Sequence, residues 1–118
     1  MHVGAVCVTM IIEIEEYIDI NGRNNFERWF NNLNTNIALK VRKYLARPEN
    51  ANFSRVESVG SGTHESKMDF GPGYRVYFGK DGESLIILLA GGTKKRQQND
   101  IKKARDLWKE YKKRKKEV

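Results

Sequence analysis

The sequence predicts an α+β fold: a twisted, mainly antiparallel sheet with an N-terminal helical hairpin packed on it and a C-terminal helix. Three observations carry this expectation. The hydrophobic period switches along the chain in the order strand, helix, helix, several strands, helix. In the second half, short strand-like runs are joined by tight glycine turns, which pair neighbours antiparallel. One run, Leu85–Ala90, is apolar throughout, as expected of a central strand buried on both faces. With 118 residues the chain has room for a single domain spanning 1–118.

Met10–Ile18 reads as the first strand. Ile12, Ile14 and Ile18 share one face with Glu16, while Glu13, Glu15 and Tyr17 take the other. Residues 1–9 read as an extension ahead of it, and Asn21-Gly22 breaks it. Asn24 or Asn25 can cap a helix whose Phe26, Trp29, Phe30 and Leu33 fall on one stripe. Asn34 or Thr35 caps a second, with Ile37, Val41, Tyr44 and Leu45 buried and Pro48 as its stop. The connection is so short that the two helices should run antiparallel. Residues 49–55 are loop-like, Val56–Val59 is a short strand, and Gly60-Ser61-Gly62 is a turn. His64–Phe70 and Tyr74–Lys80 form a hairpin around Gly71-Pro72-Gly73, and a turn at 80–83 leads into Leu85–Ala90, which Gly91-Gly92 ends. The last helix starts near Gln98 or Asn99 and buries Ile101, Ala104, Trp108 and Tyr111. Residues 112–118, a basic tail, have little to bury and are expected to fray.

Charge narrows the function. The net charge is +7, yet residues 93–118 hold 12 Lys/Arg against 4 Asp/Glu, so the whole excess sits in the last segment. A one-sided excess of that kind suits a polyanion, most simply RNA or DNA. The lone cysteine, Cys7, rules out an internal disulfide and reads as a bland apolar residue. The apolar stretch Val3–Ile12 has no Lys or Arg before it, is followed by Glu13, Glu15 and Glu16, and is too short to span a bilayer. A cytoplasmic location and no membrane association are therefore expected. There is no cysteine–histidine metal cluster, no phosphate-cradling loop of the GxxxxGK[ST] type and no recognisable Ser/His/Asp set, so no metal or cofactor is expected.

The hairpin is where chemistry can gather. Tyr74, Val76 and Phe78 take the core side and Arg75 and Tyr77 the other. On the preceding strand Met68 and Phe70 look inward, and Glu65, Lys67 and Asp69 outward. Pairing around the turn brings Lys67 beside Arg75 and near Tyr77, and Thr93-Lys94-Lys95-Arg96 can complete a basic concavity on a partly open sheet face. Cleavage of RNA by the neighbouring 2′-hydroxyl needs a base, neutralisation of the phosphate, and an acid for the leaving 5′-oxygen. Arginine and lysine supply the second directly, and a lysine crowded by cations can approach the first. Arg75, Lys94 and Lys67 are thus the catalytic candidates, and Tyr77, Lys95, Arg96 and His64 the RNA-binding ones. For each lysine the competing reading is a solvated surface charge, and for Tyr77 it is packing under the last helix.

The stretch Ser66-Lys67-Met68-Asp69-Phe70-Gly71-Pro72-Gly73-Tyr74-Arg75-Val76-Tyr77-Phe78 resembles the addiction-module killer (HigB-like) branch of the RelE/ParE toxins. So do Leu88-Leu89-Ala90-Gly91-Gly92-Thr93-Lys94, Asp100-Ile101 and Phe26-Glu27-Arg28-Trp29. The resemblance implies a RelE-like microbial RNase fold in a type II toxin that cleaves mRNA, usually on the ribosome and without a metal. It also implies neutralisation by a helix-turn-helix antitoxin, through which the complex reaches operator DNA. Arg75 matches the branch's shared catalytic arginine, and Lys94 the basic residue after the glycine pair. Lys67 stands where the branch carries arginine in an E-L-R motif, here Glu65-Ser66-Lys67, and Ile101 stands where several members place a tyrosine or histidine. Two other activities stay open: a ParE-like toxin that binds gyrase without cutting RNA, and a remnant that only binds its antitoxin.

Overall fold

The computed structural model describes residues 13–46 and 56–117. The expectations for residues 1–9, Val3–Ile12, Cys7, Pro48 and the 49–55 loop lie outside the described residues. The elements are β1 (Glu13–Glu16), α1 (Asn25–Asn31), α2 (Thr35–Leu45), β2 (Val56–Gly60), β3 (Thr63–Lys67), β4 (Tyr74–Asp81), β5 (Leu85–Thr93), a 3-10 turn (Lys94–Arg96) and α3 (Gln97–Lys116). The fold is α+β, with a five-stranded mixed sheet in the order β1-β5-β4-β3-β2. The pairings from β2 to β5 are antiparallel, and β1 joins the edge of β5 in parallel, Glu13 opposite Leu85.

Both helix starts are asparagine caps, which settles the alternatives the sequence leaves open. The Asn24 side chain accepts from the Glu27 N–H at 2.9 Å, and that of Asn34 from the Asn36 N–H at 2.8 Å. Each satisfies a donor that has no partner within its helix.

The sheet separates two apolar clusters. On one side Phe26, Val41, Met68, Val76, Phe78, Ile86 and Leu88 pack with the stripes of α1 and α2. On the other, Tyr77, Ile87, Leu89 and Ala90 pack under Ile101, Ala104, Leu107 and Trp108 of α3. This second cluster corrects the expectation of a partly open sheet face. The apolar stripe of α3 needs burial, and the Tyr77 side of the sheet is where it finds it.

A β-bulge makes the next difference. Tyr77 pairs with Ala90 but Phe78 with Leu88, so Leu89 is the extra residue. The bulge reverses the facing of everything after it. Gly91 turns to the α1 side, where Trp29 lies against it, and Gly92 turns to the α3 side, where Asp100 does. β5 runs through the glycine pair to Thr93 instead of ending at it, because its pairing with β4 continues as far as Tyr74 opposite Thr93.

The C-terminal segment does not fray where expected: α3 continues to Lys116. Its end is tied down by Arg114, which donates to the Ile18 carbonyl at 2.8 Å, and by Lys115, whose Nζ lies 2.6 Å from Asp81 Oδ2. Tyr111 also donates to Asp81, at 2.5 Å. Clustered lysines in the last turn suit the negative end of the helix dipole. Among the described residues no helix is long and apolar enough to cross a membrane.

Candidate functional site

One end of the sheet gathers the charged side chains. Lys67 of β3 pairs with Arg75 of β4, and Arg75 pairs with Gly92 of β5, so the three form a cross-strand row. Directly opposed residues have Cβ atoms about 4.5–5.5 Å apart, which puts Lys67 within reach of Arg75 on the same face. Lys94 enters from the turn that follows β5. A Cβ placed on Gly73 would lie 3.0 Å from Arg75 Nη1 and 3.3 Å from the Lys94 Cβ, so both side chains converge on that glycine. Gly73 has φ +80°, a conformation that favours glycine, and it leaves the space the two cations share. Arg75 and Lys94 therefore meet at Gly73, with Lys67 beside Arg75 on the neighbouring strand and its ammonium turned toward Glu57.

Their exposures differ. Lys94, Lys95 and Arg96 are exposed, and Lys67 is half-buried in a loose 3.9 Å pair with Glu57. Arg75 is buried, its side chain 6% exposed. Its guanidinium is not in an apolar interior. Nη1 donates to the Gly73 carbonyl at 2.7 Å, and Nε stands 3.3 Å from Glu65 Oε2, a charge contact without hydrogen-bond alignment.

Glu65 is the hub beneath the cations. Its side chain is 1% exposed, and Oε2 accepts from the Tyr77 hydroxyl at 3.1 Å and the Gln97 amide at 2.8 Å. β3, β4 and the start of α3 are thus joined on one carboxylate oxygen. Burial, and then the Glu65 charge beside it, push the Tyr77 hydroxyl far above its usual range. Asp100 completes the group from α3. Its Oδ2 is wedged against Gly92 and has no hydrogen-bond partner among the described residues. Burial raises the Asp100 carboxyl, against the lowering pull of Arg96 and Lys103.

Two candidates change role. Tyr77 is fully buried and offers no ring to a base; it packs under α3 and donates to Glu65. His64 lies on the opposite face from Arg75, stacked on Phe78 with centroids 5.4 Å apart. Strand alternation puts it there, because it is an odd number of residues from both Glu65 and Lys67. Burial, with Lys80 nearby, lowers its imidazole below the ordinary value. Ile101 faces the α3 core.

Glu65, Gln97 and the packing role of Asp100 escaped the sequence reading. Alternation does place Glu65 with Lys67, Arg75 and Tyr77, but only the position of α3 turns that face inward. Among the described residues no group of three or more His, Cys, Asp or Glu is placed to hold a metal ion.

Fold and site together define a small basic α+β protein with a cationic cluster at one end of its sheet, built over a buried acidic floor. The chain is 37% identical over 91 residues to an uncharacterized protein of Haemophilus influenzae, covering 76% of this chain and 92% of that one. It belongs to the same family as that protein. No family model matches the chain, and no solved structure does.

Proposed function

We propose that this chain is a RelE/ParE-type toxin that cleaves mRNA on the ribosome without a metal and is neutralised by a helix-turn-helix antitoxin. The observation that carries the reading is the approach of Arg75 and Lys94 at Gly73, with Lys67 paired beside Arg75 on the next strand. The arrangement fits a RelE-like fold, with α1 and α2 as a helical hairpin on one sheet face and α3 on the other. Lys94 and Lys67 would meet the phosphate first, since they reach solvent, and Arg75 would stabilise charge as it builds on the phosphate. Lys95 and Arg96, exposed on the same turn, would hold flanking phosphates of mRNA or ribosomal RNA. Operator DNA would be reached only through the antitoxin complex.

A second reading has its own observation. Arg75 is already paired with Glu65, and Tyr77 is buried, which favours a toxin that binds gyrase, or a remnant that binds only its antitoxin.

Induced expression with mapped RNA ends separates them. The nuclease reading expects growth arrest and transcripts cut within codons, with both abolished by Lys94→Ala. Arrest with relaxed plasmids and intact transcripts would establish the gyrase reading. Normal growth would leave the partner-binding remnant.

A further inference from the structure

A second basic cleft opens on the other side of the 3-10 turn. It has a volume of about 410 Å³ and lies between α1, the end of β5 and the first turns of α3. Arg28, Arg96 and Lys103 are at its rim, all exposed, and the half-buried Trp29 lines it beside Gly91 and Gly92. Asp100 lines it as well, but its Oδ2 is turned against Gly92. Three cations therefore surround a single carboxylate that is itself partly buried. The cleft lies where β1 no longer covers β5: the parallel ladder stops at Leu88, and the cleft begins at Ala90.

The 3-10 turn links this cleft to the cluster at Gly73. Residues two apart on a three-residue turn point about 120° from one another. Lys94 accordingly packs on Gly73 beside Arg75, while Arg96 enters the cleft. A polyanion lying over the turn would meet Lys94 on one side and Arg96 on the other.

We propose that this cleft is a second nucleic-acid site. It would take the stretch of single-stranded RNA that adjoins the nucleotide at Lys94, with phosphates on Arg28, Arg96 and Lys103 and a base against Trp29. The proposal rests on the RNA reading of the Lys67–Arg75–Lys94 cluster and extends it to the substrate's path. Single-stranded RNA fits the observations because the part of Trp29 that lines the cleft offers a base an apolar contact among cations spaced for its backbone. The volume lies within the roughly 300–1,000 Å³ of small-ligand sites, enough for one nucleotide at a time.

The test uses the full chain and a short single-stranded oligoribonucleotide with 2′-O-methyl groups, which cannot be cut. Binding is followed by anisotropy over a range of salt concentrations. Arg28→Ala/Lys103→Ala removes two exposed charges away from both apolar clusters, and circular dichroism verifies the fold. Affinity should fall about tenfold, with a salt slope shallower by roughly 1.4 for two lost phosphate contacts. A 4-thiouridine oligonucleotide should crosslink to the peptide holding Trp29. Wild-type affinity and slope in the double variant, or crosslinks confined to other segments, would overturn the inference. A glutamate-rich peptide that binds in place of RNA and loses affinity in the same variant would overturn it in favour of an acidic protein partner. Transcript cutting in cells that persists alongside unchanged RNA binding would sink the cleft but leave the toxin reading intact. Weakened binding in the double variant, with transcripts left whole even by the wild-type protein, would sink the nuclease reading but leave the cleft.

Discussion

Arg75→Ala should destabilise the fold itself, and the structure sets the size. The Arg75 side chain is 6% exposed and that of Glu65 1%, so removing the guanidinium strands a carboxylate in the interior. Breaking a buried ion pair from one side costs about 3–5 kcal/mol. Two features favour the lower figure. Glu65 Oε2 keeps the Tyr77 hydroxyl and the Gln97 amide, and the Arg75 Nε contact at 3.3 Å lacks hydrogen-bond alignment. We therefore expect a loss of about 3 kcal/mol. A total stability of about 5–15 kcal/mol leaves the variant folded but weakened. Removing both charges, as Arg75→Met/Glu65→Gln, should recover most of the loss, because no buried ion is then left unpaired. Urea unfolding followed by far-ultraviolet circular dichroism reads both as midpoint shifts at constant slope. An Arg75→Ala midpoint indistinguishable from wild type would refute the argument, since Arg75 would then have to be solvated and Glu65 unburdened. The result also governs how toxicity is tested. Loss of activity in Arg75→Ala alone would confound chemistry with folding, whereas Lys94→Ala alters an exposed side chain.

Two further predictions concern packing and pH. Gly91→Ala should destabilise more than Gly92→Ala: a Cβ at 91 meets the Trp29 ring, hemmed in by Phe26 and Tyr74, while one at 92 meets a carboxylate that can swing toward solvent. Overpacking costs about 1–3 kcal/mol, so we expect Gly91→Ala near the top of that span and Gly92→Ala near the bottom; thermal melts in the reverse order would show the assignment of faces to be wrong. Stability should fall in alkali. Burial raises the Tyr17, Tyr77 and Tyr111 hydroxyls, that of Tyr111 to about 12. In the unfolded chain these groups lose protons near the usual value of about 10, so above it the unfolded state binds fewer protons and is favoured. The melting temperature should drop as pH rises from about 10 toward 12, with tyrosinate absorbance lagging behind that of free tyrosine; a flat profile would contradict it.

Local rules made much of this fold legible. The apolar stripes of Phe26–Leu33 and Ile37–Leu45, the asparagine caps and the Gly71-Pro72-Gly73 hairpin follow from periodicity and turn chemistry acting within a few residues. The pairing of Lys67 with Arg75 followed from that hairpin. What the sequence did not disclose is non-local. Nothing near Leu89 announces a bulge, yet it decides which of Gly91 and Gly92 faces the site. Likewise, packing of α3 over Tyr77 is one of the two readings the sequence leaves open for that residue, but nothing local says that the helix would also turn Glu65 and Arg75 inward. The persistence of α3 to Lys116 depends on Asp81 and the Ile18 carbonyl, partners more than 30 residues away. The parallel seating of β1 beside β5 is of the same kind: it joins Glu13 to Leu85, more than half the chain apart, and no local signal encodes it.

The buried pairing of Arg75 bears on how the proposed chemistry would work. A guanidinium free in solvent would bind a phosphodiester in the ground state as readily as any surface cation, and uniform binding of that sort does not speed a chemical step. Here Arg75 would have to be shared with, or drawn from, Glu65 and the Gly73 carbonyl. A singly charged phosphodiester, already met by the exposed Lys94 and Lys67, competes weakly for it. As the 2′-oxygen attacks, negative charge builds on the phosphorus-bound oxygens, and the competition shifts toward the phosphate. Arg75 would then strengthen its contact chiefly where the reaction needs it, with Gly73 leaving room for the guanidinium to shift. On this argument Glu65 tunes the arginine instead of merely silencing it. Glu65→Gln should therefore tighten binding of uncleavable RNA more than it accelerates cleavage. A variant that gained equally in both would mean that Glu65 only withholds Arg75, and one that gained in neither would mean that Arg75 never leaves its buried seat.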